Sequence, residues 1–218
     1  MFDVRHNSTG NLFRAKRLQS FLDLAYGIGF MKGSRCRVVD VGGTSEFWWT
    51  WRDFVDWSRV EVTCVNIEPQ HSRHDFEQVS AEFGDATNLS AIEDNAFDLV
   101  YSNSVIEHVG RANFPAFARE VSRVAPAYFV QAPNYWFPIE PHARTAFLHW
   151  MPDAFSARLL MHRELGYWPR AATYEDAVRR LRTAELPTRR ELADLFPDAK
   201  IIPERFVGLV KSWMAVKH

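Results

Sequence analysis

Between residues 37 and 131, short strand-like runs alternate with stretches of helical period, and this alternation limits the fold more than any other feature of the chain. Strand-like runs fall at 37–41, 60–67, 97–102 and 127–131, with a shorter one at 79–83. Between them, 47–57 and 114–124 repeat apolar residues at helical spacing, so that Phe114, Phe117, Ala118, Val121 and Val124 share one face. Strands that reach their neighbours through helices pair in parallel with right-handed crossovers, so a parallel sheet in an α/β domain is expected. Ahead of it, 10–26 reads as a helix with Leu18, Phe21, Leu22 and Ala25 on its apolar stripe, stopped by Gly27 and Gly29. At the far end, Gly208 turns the run 200–206 straight back into 209–216. Two strands joined so tightly form an antiparallel hairpin.

The pattern breaks between 134 and 187 into chain rich in aromatic residues, proline and arginine, with helical pieces near 144–165 and 173–183. This reads as an α-helical insertion in a single domain spanning 1–218, with its N-terminal helix at 10–26 and its core at 37–133 and 188–218. A hydrophobic content of 47% supplies enough apolar surface for a sizeable core and excludes a disordered chain. No run approaches the roughly 18 apolar residues of a membrane span. The N-terminus carries Asp3 and lacks an apolar stretch, so it does not read as a secretory signal. Cys36 and Cys64 have no metal-binding pattern and allow at most one disulfide, which makes a reducing, cytoplasmic setting the expectation.

The net charge of −1 hides an uneven distribution. Residues 1–37 carry +5, 38–143 carry −10, 144–190 carry +4 with nine arginines, and 191–218 are neutral. The simplest arrangement has the basic flanks neutralising the acidic middle. The alternative is that the arginines draw in an anionic, sugar-like or otherwise polar small molecule. Without a dense basic stripe, nucleic acid is disfavoured.

Ligands of open α/β sheets bind beyond the carboxyl ends of the strands, so each strand end is a place to look for chemistry. The first gives Asp40-Val41-Gly42-Gly43-Thr44, with glycines that admit positive φ and close approach. The second ends at Glu68, and the third leads to Asp85 and Ala86. The fourth, "FDLVYSNSVIEHVG", gives Ser102 and Asn103 and then Glu107-His108. Each has a purely structural alternative: Glu68 as a solvated strand-end acid, Asp85 as an Asx turn or helix cap, Glu107-His108 as a surface pair on the next helix.

In that order, these strand ends resemble the class I S-adenosylmethionine-dependent methyltransferases, in particular the group acting on small molecules. The resemblance covers roughly 37–133 and resumes at "TRRELADLFPDAKIIPERFVGLVKSWMAVK". It implies a Rossmann-like, seven-stranded, mostly parallel sheet with an antiparallel C-terminal hairpin, and S-adenosylmethionine as cofactor. It also implies that Asp40, Gly42, Gly43 and Thr44 hold the methionine part, Glu68 the ribose diol, and Asp85 and Ala86 the adenine, with Ser102 and Asn103 lining the methionine end. One departure stands out: where the family repeats glycine at every second position after the acid, this chain has Gly42, Thr44 and Glu46.

Methyl transfer is an in-line displacement in which the protein chiefly positions the reactants. A hydroxyl acceptor needs a base, and histidine suits neutral pH. His142, in "PNYWFPIEPHARTAFLHWMP", is the first candidate and His108 the second. His149 is expected to pack within the insertion, and Glu140 to pair with an arginine there. Tyr135, Trp136, Phe137, Phe147 and Trp150 are either the core of the insertion or an aromatic lid. Arg14, Lys16 and Arg17 of the first helix either close over the cofactor or form a solvated face. No cluster of His and carboxylate has metal-ligand spacing along the sequence, so no metal is expected. Two rival functions remain: a non-catalytic binding protein on the same fold, and a nicotinamide-dependent oxidoreductase, which "GGTSEF" disfavours because it lacks G-x-G-x-x-G. Oligomeric state is open.

Overall fold

Val38, Val39 and Val41 are fully buried on β1 (Cys36–Val41), a strand apolar on both faces as an interior parallel strand must be. The computed structural model describes residues 9–68 and 77–218. β2 (Val60–Asn66) and β4 (Leu99–Asn103) flank β1 in parallel, Val38 lying opposite Val62 and Leu99, and β3 (Val79–Phe83) adds outside β2. β5 (Ala127–Pro133) follows the helix α3 (Phe114–Val124). At the C-terminus, β8 (Lys200–Phe206) and β9 (Leu209–Lys217) pair antiparallel, with Phe206 opposite Leu209. Their two-residue turn has φ of 47° at Val207 and 81° at Gly208, the positive values that match the twist of the strands. The sheet is seven-stranded, ordered β3-β2-β1-β4-β5-β9-β8, as expected. The order reverses between β1 and β4, where such sheets bind ligands.

The first helix departs from expectation. α1 (Thr9–Lys32) runs through both glycines. A Cβ at position 29 would lie 2.9 Å from the Ser34 carbonyl oxygen and 3.2 Å from the Cys36 nitrogen, so Gly29 permits close packing rather than ending the helix. The stop is Gly33, at φ +68°, with N–H bonds from Gly33 to Phe30 and from Ser34 to Gly29 that close the last turn. The helix expected at 47–57 is likewise shorter. α2 (Ser45–Thr50) is capped by Thr44 and gives way to a 3-10 turn at Arg52–Phe54.

The chain divides into two compact units, Met1–Asn103 with Arg119–Val130 and Lys217–His218, and Ser104–Ala118 with Gln131–Val216. The first is centred on Phe21, Trp48, Tyr101 and Phe129, with the rings of Phe21 and Tyr101 4.4 Å apart. Asp98 ties helix to sheet in this unit, accepting from Lys32 Nζ at 2.6 Å and the Arg37 N–H at 2.8 Å. Cys36 and Cys64 are buried free thiols. No described helix is long and apolar enough to cross a membrane.

In the second unit the insertion opens as a small hairpin, β6 (Ile139–Glu140) with β7 (Thr145–Ala146), and not as the helix expected from 144. Arg144 and Phe147 take left-handed backbone (φ 48° and 62°), which no helix continues. The helices are α4 (Asp153–His162) and α5 (Tyr174–Leu181), packed around Ala143, Leu148, Ala157, Leu160, Leu165 and Ala177. α6 (Arg189–Leu195) starts with a capping box between Thr188 and Glu191.

Candidate active site

In the first unit, the glycine turn is built by the end of β1. Gly42 sits at φ +79° and donates its N–H to the Val65 carbonyl at 2.7 Å. A Cβ on Gly43 would fall 2.0 Å from Asp40 Oδ2, so only glycine fits against that carboxyl. Asn66 Nδ2 donates to the Gly42 and Gly43 carbonyls at 3.0 and 3.2 Å, and its Oδ1 accepts from the Glu68 N–H at 3.2 Å. This one amide fixes both the turn and the strand tip carrying Glu68. Sequence reasoning passed over it; the only signal was an amide at the end of a buried strand.

Glu68 is exposed, and so is Asp85. Asp85 Oδ1 accepts from the Thr87 N–H and hydroxyl, both at 2.8 Å, which is the Asx turn weighed from the sequence. Ala86 is half-buried beside it. Thr44 Oγ1 accepts from the Phe47 N–H at 3.3 Å as helix cap. Other candidates are committed within the protein. Asp40 is buried, its Oδ2 accepting from Trp48 Nε1 at 2.8 Å. Burial pushes its carboxyl up to about 7, against the pull of that hydrogen bond. Ser102 Oγ donates to the Val41 carbonyl at 3.0 Å, and Asn103 Oδ1 accepts from Arg17 Nη1 at 2.5 Å.

The second unit contains both catalytic candidates. Ser104, left-handed at φ 57°, is held by Gln131: its N–H donates to the Gln131 carbonyl and its hydroxyl to Oε1, each at 3.0 Å. After this bend the chain forms a 3-10 turn, Ile106–His108, in which Glu107 is buried and His108 exposed; they are not the surface pair considered from the sequence. His108 Nδ1 bonds the Thr183 carbonyl at 3.0 Å. His142 Nδ1 bonds Glu140 Oε1 at 2.9 Å, and its ring stacks 6.0 Å from Trp168 and edge-on to His108 at 5.1 Å. Glu140 therefore pairs with histidine, not with an arginine, and also accepts the Ala143 N–H. The Glu140 bond raises the His142 pKa, while burial lowers that of His108. His149 does pack inside the insertion, with Nε2 on the Tyr135 carbonyl at 2.8 Å.

A cavity of 260 Å³ in this unit is lined by Tyr135, Glu140, His149, Trp168 and Arg182 among others. Of the aromatic segment, Phe137 is buried, whereas Trp136, Phe147 and Trp150 are exposed and touch ring to ring. Arg179 and Arg180 are ion-paired to Asp176, and Arg182 to Asp153 at 2.8 Å.

The reversal in strand order, the glycine turn and the acid-tipped second strand define a doubly wound α/β protein in which the ends of β1 and β2 carry a glycine turn and an acid side by side. A family model described as a methyltransferase domain matches residues 39–126. Three solved structures share the fold. One, from Galdieria sulphuraria, is provisionally described as a sarcosine dimethylglycine methyltransferase. It has a TM-score of 0.53 at 13% identity, over 94% of this chain and 69% of that one. A SAM-dependent methyltransferase from Aquifex aeolicus scores 0.51 at 12% identity, over 99% and 98%. The methyltransferase domain of bacterial CtHen1 scores 0.51 at 12% identity, over 94% and 97%. No curated protein gives a significant match. The matched segment, under half of the chain, is similar to a methyltransferase domain, a likeness that implies S-adenosylmethionine as cofactor.

The donor set fits that cofactor in part. Exposed Glu68 and Asp85 and the narrow glycine turn suit a ribose diol, an adenine and a methionine tail. The side chains of Asp40, Ser102 and Asn103 are engaged internally and act on the turn and strand ends.

Proposed function

We propose that this chain is a class I S-adenosylmethionine-dependent methyltransferase, that it acts on a hydroxyl oxygen of a small molecule, and that His142 takes the proton. The observation that carries the proposal is the Glu140–His142 pair, at 2.9 Å, with Glu140 also lining a cavity of small-molecule size. A carboxylate accepts only, so the His142 hydrogen lies on Nδ1 and the Nε2 lone pair is left to take a proton. Glu140 then stabilises the imidazolium that forms, the sense of the raised pKa. His108, whose pKa partial desolvation lowers, lies edge-on against His142 as a second ring. Trp168, stacked on His142 and lining the cavity, offers an apolar wall to the acceptor.

Within this proposal Gly42, Gly43 and Thr44 hold the methionine part by their backbone, with Asp40 and Trp48 setting the turn beneath. Glu68 takes the ribose hydroxyls, and Asp85 and the Ala86 N–H take the adenine. Ser102 and Asn103 close the methionine end. When bound, the cofactor supplies a methyl group on a sulfonium leaving group. Arg179, Arg180 and Arg182, all ion-paired, are weaker candidates for an anionic acceptor than their number suggested.

A non-catalytic binding protein is the second reading, favoured by the internal engagement of Asp40. Calorimetric titration with S-adenosylmethionine, and with NAD as control, on wild type and Glu68→Ala tests the cofactor assignment. Binding of the methyl donor that weakens at least about tenfold in the variant is expected, since hydrogen bonds to a charged group contribute about 1.5–3 kcal/mol. Equal binding by both proteins removes Glu68 from the site. For the base, a loss of turnover in His142→Ala with unchanged donor binding is expected. Full activity in that variant refutes the assignment.

A further inference from the structure

Glu107, His108 and His142 are far apart in sequence, yet one potential ligand atom from each lies within 4.8 Å of the others. All three belong to the second unit, and Glu107 is buried there. Two imidazoles and one carboxylate form the donor set by which proteins hold zinc and similar first-row divalent ions.

The hydrogen bonds around the rings make the coincidence chemically specific. His108 Nδ1 lies 3.0 Å from the Thr183 carbonyl oxygen, and His142 Nδ1 lies 2.9 Å from Glu140 Oε1. Carbonyl and carboxylate oxygens only accept, so both rings carry hydrogen on Nδ1 and a lone pair on Nε2. That is how metal-ligating histidines are held: the remote nitrogen donates to a backbone carbonyl or carboxylate, which fixes the tautomer and aims the other nitrogen. The rings also meet edge to face, 5.1 Å between centroids.

We infer that Glu107, His108 and His142 form a binding site for one divalent first-row transition-metal ion of the zinc type, with Glu140 and Thr183 orienting the two histidines from behind. Ligands around a four-coordinate ion stand about 3.4 Å apart for bonds of about 2.1 Å, so loading draws the three groups together by about an ångström. The exposed edge of His108 gives the ion its way in. Three protein ligands leave at least one position for an oxygen of another molecule. The inference stands apart from the methyl-transfer proposal, which concerns the metal-free protein, where the His142 Nε2 lone pair takes the acceptor's proton; in the loaded protein that lone pair holds the ion.

The test uses full-length protein stripped with a chelator and carrying no histidine tag. Zn²⁺ is titrated by calorimetry, and Co²⁺ is followed by its visible d–d absorption. One ion per chain is expected at micromolar or tighter affinity, with Co²⁺ bands typical of low coordination number. Glu107→Gln, His108→Ala and His142→Ala should each weaken binding by about 100-fold or abolish it, and Glu140→Gln should weaken it about 10–100-fold as an outer-shell partner. His162→Ala, at the end of α4, should change nothing. Wild-type binding no tighter than that of a His108→Ala/His142→Ala double variant with the same circular dichroism spectrum overturns the inference. Titration of the same samples with S-adenosylmethionine separates the two proposals. Donor binding without Zn²⁺ binding refutes the metal site alone, and Zn²⁺ binding without donor binding supports the site while refuting the methyl-transfer proposal.

Discussion

Replacing Asp40 by Asn should change how the stability of this protein depends on pH. Asp40 is buried, makes a 2.8 Å bond with Trp48, and has its carboxyl pushed up to about 7 by burial. In the unfolded chain the same group titrates near about 3.9. Between those values the folded protein keeps a proton that the unfolded chain has lost, so this group's contribution is full below about pH 4 and is lost as pH rises through about 7. A displacement of about three units is worth about 4 kcal/mol, accruing at about 1.4 kcal/mol per pH unit. Asparagine keeps the shape and an oxygen for Trp48 but does not titrate. Its own fixed cost is therefore the same at every pH. The stability of Asp40→Asn minus that of wild type should climb by about 4 kcal/mol between about pH 4 and 8. Urea unfolding followed by circular dichroism, at constant ionic strength and without cofactor, measures it, and the titrations of all other groups cancel in the difference. A difference constant to within about 1 kcal/mol across that range would mean that Asp40 ionises normally in the fold, and the reasoning would be wrong.

Three further outcomes follow from the same geometry. Gly43→Ala forces a methyl group onto the Asp40 carboxyl and should lower stability by about 1–3 kcal/mol while weakening donor binding; an unchanged melting temperature would show that the turn yields freely. Asn66→Ala removes the bonds to both glycine carbonyls and should cost about 1–2 kcal/mol in urea unfolding, with a matching fall in donor affinity. For Asp98, burial works to raise the pKa, but the bonds from Lys32 and the Arg37 N–H outweigh it and hold the carboxyl below its ordinary value. Its stabilisation is present at neutral pH and lost as pH falls through the folded value. Asp98→Asn should therefore cost about 2 kcal/mol at pH 7 and progressively less under acid; a deficit that does not shrink on acidification would refute the ion-pair account.

Much of the fold was legible in the order of residues. Interior parallel strands need runs of apolar, β-branched or aromatic residues, and β1, β2, β4 and β5 show them; a hairpin closed by Val207-Gly208 needs positive φ, which Gly208 announces. Glu68 and Asp85 were visible as acids at strand ends because a strand's end is itself a local feature. Gly29 was misread for the opposite reason. Glycine serves equally to stop a helix and to let it approach a neighbour, and only the Ser34 carbonyl 2.9 Å from its missing Cβ distinguishes the two. The hairpin within the insertion was hidden as well, since left-handed backbone at Arg144 and Phe147 has no marker in residue type.

The sequence alone thus determined the sheet, its direction and which polar residues stand at its strand ends, all consequences of period and residue type over short distances. The tertiary structure decided which groups meet. Trp48 closes over Asp40 and changes the carboxyl's proton affinity, Asn66 reaches back to the glycine turn, and Glu140 sets His142 beside His108 and Glu107. Desolvation and hydrogen bonding depend on neighbours in space, and residues distant along the chain become neighbours only when it folds.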